Sequence, residues 1–313
     1  MRRFKKILKW TGFILLLIIA GLFSTIMLRQ NVKYEAAYPE IHASTDTNII
    51  NRGKQIVFGP AHCAECHSQS NVDSLFKLQQ EIPLKGGRVF ELPLGKVYAK
   101  NITSDKETGI GNYTDGEVAR VLRYGVHRDG GAVFDFMPFH DMTDEDLTAV
   151  ISFLRTQKPV QNKVPAHELN FLGKAVKAFL VKPVGPSKQI EKSIERDSTA
   201  NYGKYLAMDV ANCNGCHTKR TMSGEYIGKP FAGGGKFDDG GVILYPPNLT
   251  PDSSSRIFGW TQDQFLARFR AGRIIKQSHM PWESFGRMSD NDLKAIYKFL
   301  RTLKAVKTIL DED

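Results

Sequence analysis

Cysteine is scarce in this chain, with four residues among 313. They fall as two close pairs, Cys63 with Cys66 and Cys213 with Cys216, so no thiol is left over for a disulfide framework. Nucleotide-binding signatures are also missing. The glycine clusters near Gly86 and Gly233 have no strand–turn–helix pattern around them and read as turns. The net charge of +10 comes with no nucleic-acid recognition motif and no basic stripe, which excludes a nucleic-acid partner. Five of the positive charges, Arg2, Arg3, Lys5, Lys6 and Lys9, are crowded at the very start. From Trp10 to Leu28 charge disappears altogether.

That uncharged run approaches the roughly 20 apolar residues that span a bilayer. The basic cluster before it stays cytoplasmic under the positive-inside rule. A cleavable export signal has a shorter apolar core and an Ala-x-Ala-like site, which Ala20-Gly21-Leu22-Phe23-Ser24-Thr25 matches poorly. The expectation is an uncleaved anchor over 10–28 behind a basic tail over 1–9. The rest then lies on the periplasmic or extracytoplasmic side of the inner membrane.

Each cysteine pair ends in histidine: Cys63-Ala64-Glu65-Cys66-His67 and Cys213-Asn214-Gly215-Cys216-His217. Cys-x-x-Cys-His is the attachment signal of a c-type haem, with both thiols bonded to the porphyrin and the histidine bound to iron. A redox dithiol or a zinc site explains neither the histidine after both pairs nor the long separation of the pairs. Two covalently attached haem c groups are expected, on Cys63, Cys66, Cys213 and Cys216, with His67 and His217 as iron ligands. The haem propionates offset much of the positive charge outside the tail.

The chain repeats itself once. Gly53 and Cys63 recur as Gly203 and Cys213; Gly86, Gly87, Phe90, Tyr98 and Asn101 recur as Gly233, Gly234, Phe237, Tyr245 and Asn248. Phe153-Leu154-Arg155-Thr156 recurs as Phe299-Leu300-Arg301-Thr302. The expected organisation is mostly α: an N-terminal transmembrane helix followed by two tandem cytochrome c haem domains, at 49–160 and 198–313. A linker covers 29–48, and a second, with an amphipathic helix, covers 161–197. Each copy ends in a capped helix, starting at Thr143 and at Ser289, with apolar residues at helical spacing behind the cap. Gly53 and Gly203 suit a close helix–helix approach. The Phe171–Leu180 segment reads as a helix packed across the domain interface, with a membrane-surface helix as the alternative.

The second axial ligand separates electron transfer from catalysis. Met137-Pro138 and Met280-Pro281 recur ahead of the terminal helices, and a thioether there raises the reduction potential. Met142 and Met288 also recur, but each precedes a helix cap and suits a hydrophobic staple. His127, His140 and His279 lack counterparts in the other copy and read as exposed loop histidines. Asn101 and Asn248 are candidates to bond a propionate or a backbone turn. Tyr113, Trp260, Arg120, Arg123, Arg268, Arg270 and Arg273 are further candidates around the propionates.

The stretch from Asn101-Ile102-Thr103-Ser104-Asp105 to Gly109-Ile110-Gly111-Asn112-Tyr113 resembles a signature of the cytochrome c subunits of membrane alcohol, aldehyde and gluconate dehydrogenases. Asn248-Leu249-Thr250-Pro251-Asp252 through Gly259-Trp260 is similar. The resemblance implies cytochrome c folds with His/Met haems. Those subunits commonly carry one haem motif more than the two found here. The expected function is a dihaem relay of single electrons, not an enzyme, passing charge from a dehydrogenase or quinone-linked donor to another cytochrome or oxidase. The rivals are a dihaem peroxidase, which needs a displaceable ligand at one iron, and an integral dihaem subunit of a terminal oxidase.

Overall fold

The computed structural model describes residues 2–221, 224–239 and 242–309. An apolar helix α1 (Arg2–Arg29) comes first; it is long and apolar enough to cross a membrane and buries almost nothing against the protein. Then follow α2 (Thr47–Phe58), α3 (Cys63–His67), α4 (Val72–Lys77), the hairpin β1 (Val89–Leu92) and β2 (Gly95–Tyr98), α5 (Asp115–Tyr124) and α6 (Asp144–Arg155). A connecting stretch carries β3 (Glu168–Leu169) and α7 (Phe171–Phe179). The second half has α8 (Ala200–Tyr205), a π turn at Leu206–Val210, α9 (Cys213–His217), the hairpin β4 (Phe237–Asp239) and β5 (Val242–Leu244), α10 (Gln262–Arg270), α11 (Trp282–Phe285) and α12 (Asp290–Thr302). The molecule is mostly helical; an opening helix, the Cys-x-x-Cys-His turn, a hairpin, a middle helix and a terminal helix recur in both halves, while, among the described residues, α4 and α11 each occur in one half only.

Each half is built on one crossing of helices. α2 lies on α6, and α8 lies on α12. The glycines make this possible: a Cβ at Gly53 would stand 1.9 Å from the Ala149 carbonyl oxygen, and one at Gly203 would stand 1.9 Å from that of Ala295. Leu147, Ile151, Leu293, Ile296 and Leu206 are buried around these crossings. The terminal helices start as the caps require. Thr143 accepts from Asp146 N and Ser289 from Asp292 N; only Ser289 closes a full capping box, because the Asp146 carboxylate is engaged elsewhere.

That engagement joins the halves. Arg52 donates twice to Asp146, each at 2.8 Å, and once to the Tyr202 hydroxyl at 3.2 Å. Tyr205 donates to Asp146 at 2.8 Å, and Tyr202 donates to Asp292 at 2.9 Å. Arg52, Asp146, Tyr202 and Tyr205 are all buried, so a fully bonded ionic cluster sits between α2 and α6 of one half and α8 and α12 of the other.

The connecting stretch is tied to the first half. β3 adds to the hairpin as a third antiparallel strand, pairing Gly95 with Leu169 and Lys96 with Glu168. α7 packs on α1 and beside β3, so its setting differs from the expected packing across the domain interface. The chain leaving α1 is tied down as well: Tyr34 N donates to Gly130 O at 2.8 Å, and Lys33 pairs with Asp129 at 2.6 Å.

Candidate haem centres

Both Cys-x-x-Cys-His motifs form a single helical turn entered from the left-handed region. His62 precedes the first at φ 40° and Asn212 the second at φ 50°. Asparagine accepts this conformation readily, histidine less so. The sharp entry sets both cysteines and the histidine on one short helix.

The histidines are held in the same way. His67 Nδ1 lies 2.7 Å from Lys100 O, and His217 Nδ1 lies 2.8 Å from Pro247 O. A carbonyl only accepts, so Nδ1 carries the proton in both rings and Nε2 presents a bare lone pair. Neither Nε2 makes a hydrogen bond among the described residues. Burial lowers the proton affinity of both imidazoles, which favours the neutral form that binds a metal.

The glycine pairs secure this clamp. Gly86 N donates to His67 O, and Gly233 N donates to His217 O, both at 2.8 Å. Gly86 and Gly233 have φ of 68° and 67°. A Cβ at Gly86 would come within 2.4 Å of the Lys100 carbonyl carbon, and one at Gly233 within 2.5 Å of Pro246 O. The turn expected at these glycines is therefore also the contact that presses the carbonyl-bearing segment onto the haem motif.

Asn101 and Asn248 organise backbone turns. The Asn101 carbonyl accepts from Thr103 N and Oγ1, and its amide donates to Val160 O and Thr108 Oγ1. Asn248 does the same with Thr250, Val306 O and Ser254 Oγ. In each half this buried amide ties the segment after the terminal helix back to the strand of chain that holds the histidine.

The cysteines are chemically quiet as thiols. Desolvation, with a smaller contribution from the neighbouring thiol, pushes Cys63 and Cys213 up to about 12. Partial desolvation also raises Cys66 and, although its residue is open to solvent, Cys216 above the ordinary value. A redox dithiol needs a depressed value, so that alternative loses ground. Among the described residues no cluster of three or more His, Cys, Asp or Glu could hold a metal ion, and a zinc site has no donor set here. Unpaired thiols beside an imidazole with a free Nε2 fit a covalently held haem.

Met137 and Met280 occupy matching loops, half-buried against the core. Met137 O accepts from Phe139 N, and Met280 O from Trp282 N, both at 2.8 Å. Met142 and Met288 are almost fully buried within the core that holds Leu147 and Leu293, as a staple requires. Their carbonyls accept from Arg123 and Arg270, which also pair with Asp144 and Asp290. These two arginines thus bind backbone and helix cap, where charge alone had suggested propionates. Arg120 bonds to Tyr34 O and Tyr38 OH, and Arg273 to Asp73. Arg268 stacks on the Trp282 ring at 3.4 Å, beside the Met280 loop, and its buried Nη2 has no partner among the described residues. Such a donor is costly to leave unmatched and suits an anionic oxygen.

His140 departs from the exposed-loop expectation. It is buried, with Nδ1 3.2 Å from Arg123 O and Nε2 2.9 Å from Asp135. Both ring nitrogens are committed, so it is a structural histidine.

The first motif touches the second half. Glu65 accepts from Ser284 Oγ at 3.0 Å, and the His62 ring meets Phe285 edge-on at 5.5 Å. Ser284 and Phe285 lie on α11, directly after Met280-Pro281.

The chain's relatives carry the haem chemistry in their names. It is 29% identical to the cytochrome c subunit of a quinone alcohol dehydrogenase from Gluconobacter oxydans (strain 621H), over 88% of this chain and 58% of that protein. It is 26% identical to the fructose dehydrogenase cytochrome subunit of Gluconobacter japonicus, over 97% of this chain and 60% of the relative. The homologues are cytochromes c. A dihaem c-type cytochrome of Cereibacter sphaeroides is 24% identical, over 95% of this chain and 98% of its own length. No family model matches. The chain spans about three-fifths of the length of the two dehydrogenase subunits. The cytochrome c resemblance read from the Asn-Ile-Thr and Asn-Leu-Thr segments therefore extends over most of the chain, and with it haem, iron and electron transport.

Proposed function

We propose that this protein is a membrane-anchored dihaem cytochrome c that relays single electrons and has no substrate of its own. The observation that carries this reading is the packing of the first haem motif against the second half, where Glu65 meets Ser284. Two one-electron centres set side by side form a relay. Bound haem supplies reversible iron oxidation and reduction; the chain supplies everything that sets its position and potential.

Cys63 and Cys66 anchor one group through thioethers, and Cys213 and Cys216 anchor the other. His67 and His217 offer Nε2 to iron, and the Lys100 and Pro247 carbonyls strengthen that donation by accepting the Nδ1 proton's hydrogen bond. Met137 and Met280 would each supply a thioether as the second ligand, and an iron held by both residues would keep no open site for peroxide or oxygen. The relatives' names support a dehydrogenase as the donor; the acceptor in this reading is a further cytochrome or oxidase, with the haem centres on the outer side of the cytoplasmic membrane.

Redox titration of Met137→Ala and Met280→Ala tests the assignment. Each variant should keep both haems bound and lose potential at one centre only. Unchanged potentials in both variants refute the methionine ligands. A high-spin or bis-histidine spectrum in the parent protein refutes the simple relay.

A further inference from the structure

The connecting helix α7 is the part of the fold that the relay does not use. Its apolar stripe recurs at helical spacing as Leu172, Val176, Phe179 and Leu180, yet Leu172 is 56% exposed and Leu180 67%. Large aliphatic side chains this open on a helix beside a membrane span need a cover. The opposite side is fixed: Gly173 stacks so tightly on the hairpin that a Cβ would lie 2.1 Å from Leu94 O. The Asn170 side chain caps the helix by accepting from Gly173 N and donating to Pro93 O.

The helix meets α1 near its outer end. The rings of Phe23 and Phe171 stack with centroids 6.0 Å apart and planes within 6°, and Arg29 sits over the Phe179 ring at 5.4 Å. Phe23 is five residues before Leu28, the end of the uncharged run. At 1.5 Å per residue the contact begins roughly 8 Å inside that end, which is the depth at which amphipathic helices lie between headgroups and acyl chains, about 5–10 Å. Lys174, Lys177 and Lys182 flank the stripe and can extend to the lipid headgroups while their stems stay apolar.

The geometry points to α7 as a membrane-surface helix, seated obliquely in the outer leaflet of the bilayer that α1 crosses, with its Phe171 end deeper than its Phe179 end. This rests on the anchor reading of α1 and adds a second, lateral contact. Because β3, the Leu94 turn and the Lys33–Asp129 and Tyr34–Gly130 ties join α7 and the exit of α1 to the first half, the first haem centre is held at a set height and tilt above the lipid.

The test uses the full, haem-loaded chain in vesicles of phosphatidylcholine and phosphatidylglycerol, with a photo-crosslinking phenylalanine analogue replacing Leu172, Leu180, Leu16 or Ile227 in turn. Leu16 reports on the anchor; Ile227, equally exposed at 58%, reports on random lipid encounter. Lipid adducts at 172, 180 and 16, with none at 227, are expected. Adducts at 16 without adducts at 172 and 180 overturn the surface helix and leave the anchor intact. Absence of adducts at 16 overturns the anchor reading itself. Protein–protein adducts in place of lipid at 172 and 180 assign the stripe to a second chain and also overturn the proposal.

Discussion

Replacing Arg52 by Met should be among the most damaging single changes outside the haem motifs. The guanidinium and its partner carboxylate are nearly sealed from water, with side-chain exposures of 8% and 3%. Arg52→Met removes two charge-assisted bonds from Asp146 and leaves its carboxylate only the Tyr205 hydroxyl and its place behind the Thr143 cap. Breaking a buried pair in this one-sided way costs about 3–5 kcal/mol, whereas replacing both partners with apolar side chains is often neutral or better. Here the double change is well placed to recover. With Asp146 also changed to Leu, the Tyr205 hydroxyl keeps Thr143 at 3.3 Å and the Tyr202 hydroxyl keeps Asp292 at 2.9 Å, so no buried polar group is orphaned. Denaturant unfolding of the haem-loaded parent, both single variants and the double variant, followed by far-ultraviolet circular dichroism, gives the coupling energy directly. The singles should each lose several kcal/mol and the double most of neither loss. A single Arg52→Met loss below about 1 kcal/mol, the value for an exposed pair, refutes the idea of a dry ionic joint between the halves.

Gly53→Ala and Gly203→Ala should each push a helix crossing apart, at a cost of about 1–3 kcal/mol or more, read as a lower thermal midpoint; equal midpoints would mean the crossings are looser than described. Cys216→Ser should weaken or abolish attachment of one haem only, seen by mass spectrometry of the denatured chain, and loss of neither would mean that the second motif is not used. The tie behind the anchor should be acid-sensitive. The Lys33 ammonium, helped by Gly131 N–H, holds the Asp129 carboxyl below its ordinary 3.8. The contribution of that pair is therefore present above the unfolded value and is lost as pH falls through the lower folded one. Proteolytic nicking over 30–37 should rise in that acid range in the parent, and Asp129→Asn should nick readily at neutral pH as well.

Residue types with one chemical job were legible without coordinates. Cys-x-x-Cys-His, the Thr143 and Ser289 caps, the small residues at 53 and 203 and the paired glycines at 86 and 233 each satisfy a local geometric demand, and each recurs. What stayed hidden works through the main chain or through mismatch. The carbonyls of Lys100 and Pro247 position the two histidines, but any residue supplies a carbonyl, so nothing in the side chain announces it. The repeat offset that aligned Asn101 with Asn248 also aligns these two positions, and that was the one available signal. Arg123 and Arg270 looked like partners for propionates because charge alone does not say whether a guanidinium faces a cofactor or the backbone carbonyls of Met142 and Met288. The two-residue strand β3 is too short to show a period, and so the attachment of the connecting stretch to the first half was missed.

The joint between the halves shows why mismatch in a repeat can carry information. Arg52 and Tyr202 are equivalent positions, one residue before Gly53 and Gly203, and they touch each other at 3.2 Å. Had both been arginine, two guanidiniums would face one another in a dry interface, and like charges there are strongly unfavourable. A phenol resolves the conflict because one hydroxyl both accepts and donates. It accepts a hydrogen bond from Arg52 on one side and donates one to Asp292 on the other, so the row Asp146, Arg52, Tyr202, Asp292 is bonded without a gap. The same logic makes Tyr202→Phe a mild change on the arginine side, since Arg52 keeps both bonds to Asp146. The loss falls on Asp292, whose Oδ2 still closes the Ser289 capping box while its Oδ1 loses the phenol. Tyr202→Phe should therefore cost about 1.5–3 kcal/mol, the value of a hydrogen bond to a charged group, and less than Arg52→Met; a loss of equal size would place the strength of the joint in the phenol and not in the ion pair.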